Sequence, residues 1–217
     1  MRRLHRVDAA GDGGQMNLIL VRHGETALNR KGDAEEGTGE SAERIRGWLD
    51  VPLDDNGFRQ AVDTARKLAG RRIDHVYASN LQRAYVTGQL IAAMTDAPIE
   101  PEQALRPWNV GRWSGRPVDE VLPKMKELIS QHPEESAPGG EPFAAFVARF
   151  LTALRRMLGH AKTTDGDVCA VTHTRNLQLA KAWVAAGAPA SFAYDPAVMD
   201  DYDNETGTGD FITLEPR

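Results

Sequence analysis

Short apolar runs recur along this chain, and most are followed by stretches with helical spacing. Leu18, Ile19, Leu20 and Val21 form an unbroken apolar run, so a buried strand is predicted over Asn17–Val21. Ile73, Val76 and Tyr77 predict a second strand ending at Ala78-Ser79, and Val168-Cys169-Ala170-Val171 a further buried one. Between them, Phe58, Ala61, Val62, Ala65 and Leu68 set one face of a helix from Phe58 to Leu68, just after a turn signal at Asn56-Gly57. Helices are also predicted over Leu81–Met94, with Ser79 or Asn80 as cap, over Val118–Ile129, over the amphipathic Pro142–Leu158 and over Leu177–Ala186. Thr26–Arg30 could open a helix, and Phe211–Leu214 alternates like a final strand. Ile99 and Leu105 are too isolated to assign. Strands alternating with helices predict an α/β protein whose mainly parallel sheet is covered on both faces.

Three segments break the alternation. Leu105–Pro142 holds Pro107, Pro117, Pro123, Pro133 and Pro138 with the pair Gly139-Gly140, and is a candidate cap-like insertion over a site. Lys31–Glu43 is rich in Gly, Glu, Asp and Ser and reads as an exposed loop, either a lid or a solvated insertion. Met1–Gln15 carries Arg2, Arg3 and Arg6 but lacks the apolar segment of a secretory signal. Residues 1–15 are therefore expected to be a disordered leader, or an upstream start ahead of Met16. Residues 16–217 fit one domain.

Composition narrows the function classes. A net charge of −5 argues against broad nucleic-acid or anionic-membrane binding, which need a basic surface. No apolar stretch approaches the length of a membrane span. Cys169 is the only cysteine, so no internal disulfide can form, and its apolar neighbours mark it as a small core residue. These absences make a cytoplasmic location the expectation.

The chemistry concentrates at predicted strand ends, where open α/β sheets place their ligands. Arg22, His23 and Gly24 follow the first strand, Arg83 falls in the first turn of the helix after the second, and His173 follows the strand Val168–Val171. Arg46 lies in the loop after the first strand. With parallel strands, Arg22, His23, Arg83 and His173 converge on one sheet edge. Two arginines and two histidines there suit a tetrahedral dianion such as phosphate.

With these elements the chain resembles the histidine phosphatase superfamily, the group that contains the cofactor-dependent phosphoglycerate mutases. The resemblance rests on LVRHGETALN (20–29), RIRGWLDVPLDDNGFRQA (44–61), VYASNLQRAYVTGQLIA (76–92), LRPWNVGRWSG (105–115), GGEPFAAFVARF (139–150) and VTHTRN (171–176). It implies a three-layer α/β/α sandwich and a phosphohistidine intermediate at His23. By the same resemblance Arg22, Arg83 and His173 bind the phosphoryl oxygens, and Thr26 and Asn29 line the pocket, as does the stretch around Thr174. Water then releases phosphate, with no metal or organic cofactor needed. The implied partner is a small phosphate ester or a phosphorylated protein.

The chain departs from the family at its general acid. The mutase-like branch carries a glutamate at the third position of L-x-E-x-x-x-G, where this chain has Pro107; the other main branch carries an aspartate after the second histidine, where Thr174 stands. General acid catalysis contributes roughly 10²–10⁴-fold, most where the leaving alkoxide is strongly basic. The expected substrate therefore has a good leaving group, or another carboxylate substitutes. Glu25 and Glu141 are the candidates, and the competing reading of each is a surface carboxylate. Arg46 by charge and Trp108 by stacking could select the rest of the substrate; the competing readings are a surface arginine and a packing tryptophan. A phosphatase leads, with a phosphoglycerate mutase and a pseudoenzyme binding a phosphorylated ligand or protein as alternatives.

Overall fold

A computed structural model describes residues 16–29, 43–192 and 206–215. The predicted leader and nearly all of the predicted 31–43 loop lie outside the described residues. In chain order the elements are β1 (Leu18–Arg22), α1 (Asp55–Leu68), β2 (Ile73–Ala78), α2 (Gln82–Thr95), β3 (Ile99–Pro101), α3 (Val118–Gln131), α4 (Phe143–Ala161), β4 (Asp167–Thr172), α5 (Thr174–Ala185) and β5 (Phe211–Leu214). The strands make one sheet in the order β3-β2-β4-β1-β5. β1 runs parallel to β4, from Leu18 opposite Val168 to Arg22 opposite Thr172, and β2 is parallel to both β4 and β3. Among the described strands only β5, on the far edge, is antiparallel.

Strand side chains alternate between two faces, and both faces are apolar because both are covered. Ile19, Val21, Val76, Ala78, Cys169 and Val171 pack against Ala65 and Leu68 of α1 and Ala84 and Ile91 of α2. Leu18, Leu20, Tyr77, Val168 and Ala170 pack on the other side, with Phe146, Phe150 and Leu154 of α4 and Leu177 and Trp183 of α5. This is a three-layer α/β/α sandwich. From the 105–142 segment, Val110, Val121, Met125 and Ile129 enter the α4 core. Cys169 is fully buried, and burial pushes its thiol up to about 12, so it remains an unreactive protonated core group. Among the described residues no helix is long and apolar enough to cross a membrane.

Several boundaries differ from the sequence pattern for identifiable reasons. The Asn56-Gly57 pair is the first turn of α1: Asp54 caps it, its carboxylate accepting from the Gly57 N–H at 2.8 Å. Phe58 lies on the outer face of that helix and is 48% exposed. Neither Ser79 nor Asn80 caps α2. Asp50, from the loop before α1, accepts from the Gln82 backbone N–H at 2.7 Å and from its side chain at 3.1 Å. Ile99 belongs to a three-residue edge strand, recognisable only by its pairing with β2. Of the predicted Thr26–Arg30 helix, Arg30 lies outside the described residues and the rest holds a short 3₁₀ turn, Ala27–Asn29.

Gly24 and Gly57 explain how the loop after β1 is docked. A Cβ on Gly24 would lie 2.1 Å from the Gly57 carbonyl oxygen, and one on Gly57 would lie 1.9 Å from the Glu25 carbonyl oxygen. The two backbones touch, so neither position has room for a side chain.

Candidate active site

The C-terminal ends of β1, β4 and β2 lie side by side and carry the candidate residues. The His23 N–H donates to the Thr172 carbonyl at 3.1 Å, and the Ser79 N–H donates to the Val171 carbonyl at 2.9 Å. Residues 207–210 clamp the first loop from the other side: the Gly209 N–H donates to the carbonyls of Arg22 and His23, at 3.1 and 3.2 Å. Such ties fix the backbone from which His23 projects, at the end of a rigid strand.

His23 and His173 are both buried, with ring centroids 5.0 Å apart in an edge-to-face arrangement. His23 Nδ1 lies 2.6 Å from the Gly24 carbonyl oxygen, which can only accept, so Nδ1 carries the proton and donates. Nε2 is then left with its lone pair. Burial, then the neighbouring Arg83 and Arg46, hold the imidazole well below the usual histidine range. His173 is held well below it too, by burial first and Arg83 second. Its Nε2 is 2.9 Å from the hydroxyl of buried Ser79. At neutral pH both rings are uncharged.

Three guanidinium groups surround this pair. Arg22 donates from Nη1 to the Thr206 carbonyl at 2.8 Å. Arg83 is buried at the first turn of α2 and donates to the carbonyls of Leu49 and Gly47, at 2.7 and 3.1 Å. Arg46 Nη2 lies 4.0 Å from the Glu43 carboxylate. Burial, with Arg46 as a like-charged neighbour, brings Arg83 down to about 9, and burial brings Arg46 down to about 10. Arg22 is lowered by burial, against the pull of Glu43, Asp210 and Glu25. All three remain charged at pH 7. Arg22 Nε, Arg46 Nη1, Arg83 Nε and His173 Nδ1 are buried without a hydrogen-bond partner among the described residues. Leaving such groups unpaired is costly, and an anion in their midst would satisfy them together.

The remaining sequence candidates are placed as follows. Thr26 and Asn29 bond one another, the Thr26 hydroxyl donating to Asn29 Oδ1 at 2.8 Å, and this closes the turn after the Arg-His-Gly segment. Thr174 is half-buried at the first position of α5, directly after His173. Glu25 turns towards α1, where Asn56 and Gln60 donate to its carboxylate. Glu141 is engaged on both oxygens: Arg149 donates to them at 2.6 and 3.3 Å, and the Asn109 N–H donates to Oε1 at 2.9 Å. Trp108 is buried, packs edge-on to Phe143 at 5.1 Å and donates its indole N–H to the Glu141 carbonyl at 2.8 Å. Of its two readings, packing is the one its position fits. Among the described residues no group of three or more His, Cys, Asp or Glu converges in a way that could hold a metal ion.

Sequence reasoning missed three residues. Ser79, considered in the sequence as the end of the second strand and a cap of the helix after it, instead lies 2.9 Å from His173 Nε2. Trp48, inside the quoted Arg-Gly-Trp stretch, donates its indole N–H to the Pro107 carbonyl at 2.8 Å. Arg149 of α4 uses all five of its donors: two on Glu141, and one each on the carbonyls of Ala104 (2.8 Å), Arg106 (3.1 Å) and Pro107 (3.3 Å). It thereby fixes the 104–107 wall. An arginine eight residues after Glu141 on an amphipathic helix was the available signal, and it reads equally as a solvent-facing charge.

A family model described as "Histidine phosphatase superfamily (branch 1)" matches residues 18–201. Phosphoserine phosphatase 1 of Hydrogenobacter thermophilus is 32% identical over 166 residues, covering 73% of this chain and 71% of that protein. The probable phosphoglycerate mutase GpmB of Yersinia pestis is 30% identical over 143 residues, covering 64% of this chain and 61% of that protein. The solved structure of mycobacterial glucosyl-3-phosphoglycerate phosphatase superposes with a TM-score of 0.67 at 22% identity, over 91% of this chain and 89% of that one.

Proposed function

This chain belongs to the histidine phosphatase superfamily, and on that premise we propose that it hydrolyses phosphomonoesters through a phosphohistidine at His23. The observation that carries the reading is the set of buried, unpartnered donors on Arg22, Arg46, Arg83 and His173 gathered around a histidine whose Nδ1–H is fixed on Gly24. His23 Nε2 attacks phosphorus opposite the ester oxygen, the P–O bond breaks, and the oxygen leaves. The guanidinium groups and His173 Nδ1–H, with the Ser79 hydroxyl donating to Nε2, take the negative charge on the equatorial oxygens. Water then attacks the phosphohistidine and frees phosphate, returning neutral His23.

The departing oxygen receives no proton from Glu25, held by Asn56 and Gln60, or from Glu141, held by Arg149. Pro107 has no side-chain proton to give. The favoured substrates therefore have leaving groups of low basicity, such as an aryl oxygen or a protonated nitrogen, on a small ester or a phosphorylated protein in the cytoplasm. Relatives named phosphoserine phosphatase and glucosyl-3-phosphoglycerate phosphatase support hydrolysis. The relative named as a probable phosphoglycerate mutase favours transfer as the second reading.

A series of aryl and alkyl phosphates graded by leaving-group pKa tests this. Rates should fall steeply with leaving-group basicity and vanish in His23→Ala. A flat series would mean that an acid exists after all. Phosphoglycerate turnover requiring a bisphosphate primer would select the mutase, and phosphate binding without turnover of any ester a pseudoenzyme.

A further inference from the structure

Beside the phosphoryl pocket stands a fourth arginine that hydrolysis of a simple monoester does not require. Arg106 lies over the Trp48 ring, its Cζ 4.6 Å from the centroid, and donates from Nε to Asn80 Oδ1 at 2.7 Å. Its two terminal NH₂ groups have no protein partner among the described residues and are open to solvent. The backbone beneath is fixed on both sides. The Arg106 carbonyl accepts from Asn176 at 3.3 Å and Arg149 at 3.1 Å, and the next carbonyl, of Pro107, accepts from Trp48 and Arg149. Pro107 also confines Arg106 to extended backbone, observed at φ −58°, ψ 151°. The side chain is thus a pre-set fork: planar, stacked, tethered at Nε, and presenting both ends outward.

Charge makes the same point. Arg22, Arg46 and Arg83 already exceed the two negative charges of a bound phosphoryl group. Arg106 is close enough to add to the positive field at Arg83. Of the acids nearby, Asp50 is committed to the start of α2 and Glu43 faces Arg46. A fourth cation held rigidly in such a field is stabilised when an anion arrives with the ligand.

We propose that Arg106, on its Trp48 platform, is a second anion subsite, so that the substrate carries a carboxylate or a second phosphate besides the phosphoryl group being transferred. The inference names a substrate class for the site and rests on the phosphatase reading above.

The test compares 3-carboxyphenyl phosphate with its neutral 3-carbamoyl analogue in the wild type and in Arg106→Gln. The wild type should prefer the carboxylate in kcat/KM by roughly ten- to a hundred-fold, the worth of a charge-assisted bidentate contact. Arg106→Gln should collapse that ratio towards one, and Arg106→Lys should retain only part of it. Equal rates on both esters in the wild type, or an unchanged ratio in Arg106→Gln, would overturn the subsite. If neither ester turned over, the phosphatase reading would fail while the subsite stayed testable. Calorimetry of 3-phosphonopropionate, propane-1,3-bisphosphonate and propylphosphonate then decides it. Tighter binding of either ligand with a second anionic group, lost in Arg106→Gln, upholds the subsite and shows which second anion it takes; equal binding of all three overturns it.

Discussion

Two polar clusters adjoin in this molecule, one half-buried around Arg149 and one deeper around His23, and they are built on opposite terms. Around Arg149 and Glu141 every donor and acceptor is occupied: five guanidinium donors reach two carboxylate oxygens and three carbonyls of the 104–107 wall. Around His23, four donors of Arg22, Arg46, Arg83 and His173 are buried and unpaired. A saturated cluster is a fixture, and an unsaturated cluster of one sign is a receptor. The contrast separates the arginine that holds the fold from those proposed to bind a ligand.

Substitutions should therefore separate activity from stability, and the largest effect falls on the receptor side. His23→Ala should lose at least roughly 10⁴-fold in kcat, because His23 is the acceptor in the proposed phosphoryl transfer. Its melting temperature should fall far less than its activity, because the one side-chain hydrogen bond His23 makes among the described residues is to the adjacent Gly24. Steady-state kinetics and calorimetry on the same preparation check both halves.

Arg83→Met and Arg149→Met set the two clusters directly against each other. Arg83→Met should cost roughly 10²–10³-fold in kcat, the scale of one lost transition-state donor, with a smaller fall in melting temperature than Arg149→Met, since it frees only the Leu49 and Gly47 carbonyls. Arg149→Met should do the reverse. It strands the Glu141 carboxylate, whose side chain is 19% exposed, so the loss should approach, but stay below, the roughly 3–5 kcal/mol of a fully buried broken pair. Equal melting temperatures for the two variants would erase the distinction between the clusters.

Acid exposes the same contrast more gently. His23 and His173 are held well below 6.5 in the fold, first by burial and then by Arg83. The unfolded chain takes up protons there that the folded chain refuses. Stability is thus complete above about pH 6.5 and falls on acidification, by up to about 1.4 kcal/mol per pH unit for each histidine. Denaturant titrations from pH 7 to pH 5 should show this slope, flattened in His23→Asn/His173→Asn. The smallest effect belongs to Glu25→Gln, since that carboxylate faces Asn56 and Gln60. A change in kcat beyond roughly three-fold, against the 10²–10⁴-fold scale of an acid catalyst, would restore Glu25 as the acid.

The receptor was the more legible of the two in the sequence. Its residues sit at the ends of apolar runs, so Leu18–Val21 and Val168–Val171 announced both where His23 and His173 would stand and that they would stand together. The supports were hidden because their partners lie far along the chain. Arg149 reaches carbonyls more than forty residues upstream, and carbonyls carry no sequence signal. Asp50 caps α2 from thirty-two residues away, which is why Ser79 and Asn80 looked like the local candidates. Trp48 and Trp108 look alike as isolated tryptophans; only packing shows that Trp108 lies against Phe143 while Trp48 carries Arg106. β3 was missed because three residues, Ile99–Pro101, hold no period that could identify them.

The central claim is that the free nitrogen of His23, set by its Nδ1–H bond to Gly24, accepts the phosphoryl group. Rapid quenching of the enzyme during turnover of a phosphorus-labelled aryl phosphate, followed by peptide mapping, tests it most directly. The account predicts acid-labile, alkali-stable label on Nε2 of His23, and none on His23→Ala. Turnover by the wild type with no trapped label at any quench time, or label persisting in His23→Ala, would contradict it.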